Sequence, residues 1–423
     1  MHWTVYKFGG ASVKDAYAIR NLIEIVRKSK HDRLVVVISA MGKVTNALES
    51  IWEAWMLGQH KQCESRFNEL KNYHLNIVKD LFEDQWETFE LHEINDLLNE
   101  LEALLKTKPL VNAYQAYDQI TPYGELLSTT IIHRYALTQQ LYSSWVDARE
   151  LIVTDDNYRE AKVDWDQTRH RVIGKMDYLP EGFDKLVFAQ GFIAGGSKQQ
   201  TTLGREGSDY SAAIFAHCLD ASQLTIWKDV PGVLNADPKY FNETALLKKI
   251  SFKEAIELSY FGATIIHPKT IKPLQNLNIP LYVKSFLNPD DSGTVIQESK
   301  QQDQLIPSFI FKVNQRLISI QPKDFSFIVE ENLVDIFEQF TTHRVKIHLM
   351  ENSALSFTVC VDESELLIPL IASLKKRFLV RYNENLELVT IRHYTQMIID
   401  KVLNNKQVLL EQKSRETARF VVK

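Results

Sequence analysis

Short β-rich runs that end in Gly, Ser or Asp, separated by stretches of helical periodicity, constrain this chain more than anything else in it. Residues 5–8, 33–39, 144–147, 185–192 and 223–228 are such runs. Strand, small-residue turn and helix, repeated in that order, specify a mostly parallel sheet covered on both faces, with ligands bound beyond the carboxyl ends of the strands. The expected class is α/β, a three-layer sandwich. From about residue 47 to 120 the pattern turns to long amphipathic helix, with Ile51, Trp55, Phe67, Leu70, Ile77, Leu81, Leu98 and Leu101 spaced mainly by three and four. This reads as a helical insertion.

A chain of 423 residues predicts two or three domains. The turn-rich, charged stretch 288–304 marks a boundary, so residues 1–300 are expected to form one domain. The order βαββαβαββ over residues 309–423 then reads as two small α+β, ferredoxin-like split-βαβ modules in tandem. The second is truncated, ending at Lys423 after its third strand. With 49 basic against 54 acidic residues the net charge is -5, which offers no general attraction for nucleic acid or an anionic membrane. Small molecules are the expected partners. Cys63, Cys218 and Cys360 lack CxxC spacing, so neither a zinc site nor a disulfide framework is expected. No signal peptide opens the chain and no run approaches the ~20 apolar residues of a membrane span, so a cytoplasmic protein is expected.

Two glycine-bearing loops stand out. In Thr201-Thr202-Leu203-Gly204-Arg205-Glu206-Gly207-Ser208-Asp209-Tyr210, the glycines admit backbone N–H groups to an anion, Arg205 offers a planar fork, and Asp209 can orient cations. Read alone, it also fits a surface turn. Lys7-Phe8-Gly9-Gly10-Ala11-Ser12 follows the first strand, where the Lys7 ammonium could bridge phosphates while the next helix N-terminus adds donors. Together they point to one shared anion site of the phosphoryl-transfer type. Residues 39–46 end an apolar strand with hydroxyls, of which Ser39 or Thr45 also suits a helix N-cap. Glu125 at a helix start suits either the macrodipole or a substrate ammonium. His267, before a proline, reads as a structural hydrogen-bonder rather than an acid–base group.

Taken in order, these segments resemble the aspartokinase family within the amino-acid-kinase fold. Residues 7–13 are similar to its opening KFGGTSV, residues 36–46 to its VVSAMxxxTN turn, Gly124-Glu125 with Ser128 to its GExxS helix start, and residues 201–212 to TTLGRGGSDYSA. Residues 227–239 resemble WTDVPGIYTTDPR, and residues 250–270 a segment ending FGAxVLHPxT. The resemblance implies phosphorylation of the β-carboxylate of L-aspartate by ATP, with Mg2+ accompanying the nucleotide, at the entry to lysine, threonine and methionine synthesis. It places Lys7, Gly9 and Gly10 on the transferring phosphoryl group, and Arg205, with Ser39, Thr45 and Ser208, on an aspartate carboxylate. Glu125 falls to the ammonium and Asp209 to orienting Lys7. Lys228, Asp229, Leu234, Asp237 and Lys239 fall to the nucleotide; no metal-ligating residue is implied. Departures from the family pattern are Ala11 for threonine, Glu206 for glycine, Lys228 for threonine, Leu234 for tyrosine, Lys239 for arginine and Thr264 for lysine. They keep open the alternative of an amino-acid sensor that has the fold and little or no catalysis. The C-terminal modules resemble paired ACT domains, but residues 348–354 keep only Ser353 of the family's effector motif. Assembly into a homodimer or larger homo-oligomer through these sheets is expected, rather than feedback control.

Overall fold

The computed structural model describes residues 2–29, 31–83, 92–179, 185–197, 199–241, 243–263, 266–299, 306–324 and 326–423. Thr264 and most of the expected linker at 297–304 lie outside the described residues. The chain packs as two compact units. One comprises Met1–Val233, Leu246–Ile256 and Ile265–Asp303; the other comprises Leu234–Ala245, Glu257–Thr264 and Gln304–Lys423.

The first unit holds β1 (Thr4–Phe8), β2 (Arg33–Ile38), β3 (Ser144–Val146), β4 (Lys185–Gln190), the hairpin β5 (Ile193–Gly195) and β6 (Gln200–Thr202), β7 (Gln223–Lys228), β8 (Lys249–Ser251), β9 (Leu281–Ser285) and β10 (Thr294–Gln297). Eight of these form one sheet in the order β3-β4-β2-β1-β7-β9-β10-β8, and every pair except β9 with β10 is parallel. The near-continuous apolar runs explain this, since strands covered on both faces have no polar side to alternate. Tyr6, Phe8, Leu34, Val36, Ile38, Phe188 and Trp227 point into one core with the helices Ala16–Arg27, Val44–Met56, His60–Phe82, His92–Leu105 and Tyr123–Thr138. The helix Gly207–Cys218 packs on β1, β2 and β7. Residues 47–120 are mainly helical where described, ending in the helix Ala113–Ile120.

Because the chain runs outward from β1 to β2 on one side and later returns to β7 on the other, the sheet reverses its winding between β1 and β7. Such a switch point opens a crevice beyond the carboxyl ends of the two strands. Phe8 pairs in register with Trp227 and their rings stack at 5.9 Å, fixing the two strand ends side by side.

The second unit is built on β11 (Ser308–Pro322), β12 (Ile347–Asn352), β13 (Phe357–Asp362), β14 (Phe378–Arg392), β15 (Val408–Lys413) and β16 (Thr417–Val422), one antiparallel sheet in the order β12-β13-β11-β14-β16-β15. β11 and β14 are each 15 residues long, and together they serve both halves of the sheet. An irregularity in register at residues 312–317 divides them. One half carries the helices Glu330–Thr342 and Leu367–Arg377 over Ile318, Ile320, Val359 and Val361; the other carries Gln396–Val402 over Val389, Ile391 and Phe420. Among the described residues no helix is long and apolar enough to cross a membrane. All three cysteines are buried free thiols.

Candidate functional site

Lys7 occupies the last turn of the pleat before β1 ends, level with Val37 and Ile226, on the opposite face from Tyr6 and Phe8. Alternation along a strand therefore aims it at the helix Gly207–Cys218. There its ammonium lies 2.6 Å from Asp209 Oδ1, in the first turn of that helix, and both residues are almost fully buried, at 7 % and 4 % exposure. Lys228, the last residue of β7, approaches the other carboxylate oxygen, Oδ2, at 3.8 Å. Burial acts to raise the Asp209 carboxyl, but the two ammonium groups outweigh it and hold the group below its ordinary value. Asp209 is an anion under all ordinary conditions.

The helix start above this cluster has no side-chain cap. Gly207 N donates to Gly204 O at 2.9 Å and Tyr210 N to Glu206 O at 3.2 Å, which leaves the Ser208 and Asp209 N–H groups without an acceptor among the described residues. An uncapped N-terminus beside buried ammonium groups is suited to a phosphate or carboxylate. Arg205 is exposed at the mouth of this turn, and among the described residues no ion pair holds it.

Glu206 does not pair with Arg205. It is the N-cap in the left-handed region, at φ 53°, and its Oε2 is buried without a hydrogen bond. That backbone conformation is the one glycine adopts at least cost, which accounts for a glycine at this place in the family the motif resembles. Glu206→Gly is accordingly expected to raise the unfolding free energy by about 1 kcal/mol, after allowing for glycine's greater freedom in the unfolded chain. Urea unfolding of the two proteins measures it.

The loop after β1 is a 3-10 turn, Gly10–Val13, and the α-helix begins only at Ala16, capped by Asp15, whose Oδ1 accepts from Ala18 N at 2.8 Å. The expected donation by a helix N-terminus immediately after the glycines is thus corrected: that N-terminus is already capped by its own aspartate. Gly10 is required for a different reason. A Cβ there would stand 2.7 Å from Gly42 O and 2.9 Å from Ala40 O, so only glycine lets the loops at 9–13 and 39–42 touch. Gly42 N donates to Gly10 O across that contact. Neither Ser39 nor Thr45 caps a helix, since the N-cap of Val44–Met56 is Lys43. Both hydroxyls are half-buried, Ser39 on the loop and Thr45 in the first turn of that helix.

The helix Tyr123–Thr138 brings its first turn against the same loop. Glu125, 2 % exposed, accepts from Ala40 N at 3.1 Å through Oε1, while its Oε2 has no partner. Burial drives its pKa from 4.5 to about 8, against the pull of that N–H and of Lys7. A buried carboxyl with one oxygen unsatisfied is a place for a cationic ligand group. Its proton also couples folding to pH. Between pH 4.5 and 8 the folded chain holds a proton that the unfolded chain has released, so stability falls as pH rises, by at most about 1.4 kcal/mol per unit from this group. Glu125→Gln should flatten the decline between pH 6 and 8 in thermal unfolding of the ligand-free chain.

Two supporting residues were not foreseen. Asp118, buried near the end of the helix Ala113–Ile120, accepts from Thr202 Oγ1 at 2.7 Å, Thr202 N at 3.0 Å and Arg159 N at 2.9 Å, tying β6 to the loop at residues 152–164. Lys269 donates to Leu203 O at 2.8 Å and lies 4.7 Å from the centre of the Tyr210 ring. His267 caps the helix Pro268–Asn276 by accepting from Lys269 N at 3.2 Å, a structural role. Of the residues expected at a nucleotide, Lys228 joins the cluster and Asp229 is exposed just after it. Leu234, Asp237 and Lys239 fold with the second unit, where Asp237 Oδ1 accepts from Lys239 N at 2.9 Å and Asn235 O from Phe309 N at 2.7 Å.

The sequence model of the amino acid kinase family matches residues 2–285. The chain is 30% identical over 359 residues to the lysine-sensitive aspartokinase 3 of Escherichia coli (strain K12), across 85% of this chain and 78% of that protein. It is 34% identical over 305 residues to the chloroplastic bifunctional aspartokinase/homoserine dehydrogenase 2 of Arabidopsis thaliana, across 71% of this chain and 33% of that protein. It thus spans about a third of the length of such bifunctional relatives. A crystal structure of E. coli aspartokinase III in complex with aspartate and ADP is similar with a TM-score of 0.81 at 26% identity, over 99% of this chain and 96% of that one.

Proposed function

Since this chain belongs to the amino acid kinase family, and within it to the aspartokinases, we propose that it transfers the γ-phosphoryl group of ATP to the β-carboxylate of L-aspartate, giving 4-phospho-L-aspartate and ADP. The observation that carries this reading is the buried Lys7–Asp209 pair beneath an uncapped helix start at the switch point of the sheet. Phosphoryl transfer asks a protein for positioning and for positive charge around the moving oxygens, and for little else. A carboxylate nucleophile carries no proton to remove, so the reaction needs no general base.

In this reading a β-carboxylate oxygen of aspartate forms the new bond to the γ-phosphorus as the bond to the bridging oxygen breaks. Lys7 neutralises charge on the equatorial oxygens, with the N–H groups at Gly9 and Gly10 beside it, and Asp209 holds the ammonium in place. Arg205 takes an aspartate carboxylate bidentately, helped by the Ser39, Thr45 and Ser208 hydroxyls. Glu125 receives the substrate ammonium on its unsatisfied oxygen, which distinguishes aspartate from carboxylates that lack an amino group. Lys228 and Asp229 face the nucleotide. Magnesium fits this site as a companion of the nucleotide phosphates. Mg2+ commonly binds through phosphates and one or two carboxylates, and among the described residues no group of three or more His, Cys, Asp or Glu is placed to hold a metal by itself.

The further readings are that the reaction opens lysine, threonine and methionine synthesis in the cytoplasm, and that the chain works as a homodimer or larger homo-oligomer. A non-catalytic sensor would have no need of a buried lysine held by an aspartate at the phosphoryl position. The test is aspartate kinetics of Arg205→Ala: the aspartate KM should rise about 10²-fold, the cost of losing a bidentate charge-assisted contact. An unchanged KM contradicts the assignment.

A further inference from the structure

The aspartate end of the proposed site is assembled from two segments that are remote in the chain: the helix Val44–Met56, which begins with Thr45 in its first turn, and the turn at residues 203–206, which carries Arg205. Arg159 reaches both. Its backbone belongs to the turn side. The Arg159 N–H donates to Asp118 Oδ2 at 2.9 Å, the carboxylate that also takes Thr202 N and Oγ1, and nearby Ala161 N donates to Thr202 O at 3.1 Å. A Cβ on Gly204 would stand 3.0 Å from Arg159 O, so this loop lies directly against the residue before Arg205. The Arg159 side chain belongs to the helix side. Its guanidinium carbon lies 4.1 Å from the centre of the Tyr117 ring, 5.6 Å from that of Tyr114 and 5.7 Å from that of Trp52, all within the range at which a ring face attracts a cation. Trp52 Nε1 donates to Ala113 O at 3.1 Å and the Tyr117 hydroxyl to Glu49 Oε1 at 2.8 Å, so the helices Val44–Met56 and Ala113–Ile120 form one wall under the guanidinium. Thr45, Glu49 and Trp52 are spaced by four and three and share one face of their helix, so whatever braces Glu49 and Trp52 also sets the face that carries Thr45.

We propose that Arg159 is a positioning residue for aspartate, a cation–π latch that fixes the spacing between the Thr45 helix and the Arg205 turn. The proposal deepens the aspartate kinase reading and rests on it. Arg159 adopts φ 71°, in the left-handed region that disfavours a residue with a Cβ, and it is anchored there by Asp118 at the backbone and by three rings at the side chain. Backbone strain retained under such anchoring is characteristic of a residue whose position matters to a site. A planar guanidinium suits the task, because its flat face can lie on an aromatic ring where an ammonium on a flexible stem cannot stack. Arg159 acts through Thr45 and Arg205 and does not itself touch the substrate. The phosphoryl end of the site is held separately, by Lys7 on β1 and Asp209 on the helix Gly207–Cys218. Loosening the latch therefore changes how aspartate is held and leaves the charge around the phosphoryl group as it was.

The test compares wild type, Arg159→Gly and Arg159→Lys, with Arg159→Gly also made on an Arg205→Ala background. Glycine removes the latch and adopts the left-handed backbone at least cost, so folding is spared. For Arg159→Gly the aspartate KM should rise about 10-fold, with kcat and the KM for ATP within about two-fold of wild type, and Arg159→Lys should recover part of the loss. On the Arg205→Ala background Arg159→Gly should add less than about two-fold, because a latch has nothing to space once one of the two groups is gone. If the effect is the same on both backgrounds, Arg159 meets aspartate independently of Arg205 and the inference is overturned. If Arg159→Gly loses thermal stability with the aspartate KM unchanged, Arg159 serves the fold alone, which also overturns it. Calorimetry with aspartate and no nucleotide should show the same weakening without turnover. Wild type that binds aspartate and does not phosphorylate it defeats the kinase reading, and the calorimetric comparison still decides the role of Arg159; wild type that does not bind aspartate overturns both.

Discussion

Lys7→Met should lower kcat for aspartate phosphorylation about 10³-fold, with the aspartate KM within a few-fold of wild type. The magnitude is that of removing one preorganised charge from a developing phosphoryl transition state. Methionine keeps most of the length and the apolar stem of lysine, so the strand end and its stack of Phe8 on Trp227 are undisturbed. Asp209 retains Lys228 as a partner, so the substitution does not strand a buried anion. The lost group touches the phosphoryl oxygens in the proposed arrangement and none of the aspartate atoms, which is why the effect belongs in kcat. Steady-state kinetics in both substrates measure it. A rise in the aspartate KM with kcat preserved would place Lys7 on the wrong substrate.

Asp209→Ala acts on folding as much as on catalysis. Removing the carboxylate leaves two ammonium groups facing one another, one of them almost fully buried, and breaking a buried pair in this way costs about 3–5 kcal/mol. The first unit should therefore unfold at markedly lower urea in the variant. Adding Lys7→Met to Asp209→Ala should return part of the loss, since the double variant no longer buries an unpaired ammonium at Lys7. The pH dependence has a definite sign. The folded-state pKa of Asp209 is depressed, so its contribution is present above the ordinary value of 3.8 and is lost as pH falls through the folded one. Asp209→Ala should thus remove part of the acid sensitivity of the wild type and leave the behaviour near neutrality governed by Glu125, whose slope runs the other way.

How much of this was legible in the sequence depended on whether the deciding contacts were local. The strands at residues 5–8, 33–39 and 223–228 were readable because a doubly covered strand must be a continuous apolar run, and Lys7, Asp209 and Glu125 were readable because chemistry concentrates at the turns that follow. The capping of the first helix by Asp15 had no such signal, because the glycine pair points to the turn directly after β1 as the helix entry. At 39–46 either hydroxyl suited a cap by composition, but Gly42 at φ 51° ends the loop and delivers Lys43 to that place. Asp118 gave no signal, because it sits inside a helical pattern and its partners Arg159 and Thr202 are remote in the chain. The same holds for β11 and β14, whose two-sided role comes from a pairing between residues 56 (Pro322 with Phe378) to 84 (Ser308 with Arg392) apart that no local period reveals. Glu206 shows the converse. The sequence marked it as unasked for by the chemistry, and the structure supplies the physical reason, a left-handed backbone under a side chain with no partner for Oε2.

Phosphoryl transfer to aspartate is read out by incubating the wild-type chain with ATP, Mg2+ and L-aspartate in the presence of hydroxylamine, which traps an acyl phosphate as its hydroxamate, while ADP is quantified in parallel. Aspartyl hydroxamate and ADP should form in equal amounts and in amounts that depend on enzyme and on aspartate. Aspartate binding by calorimetry with neither product formed would contradict phosphoryl transfer and leave a binding protein on the same fold.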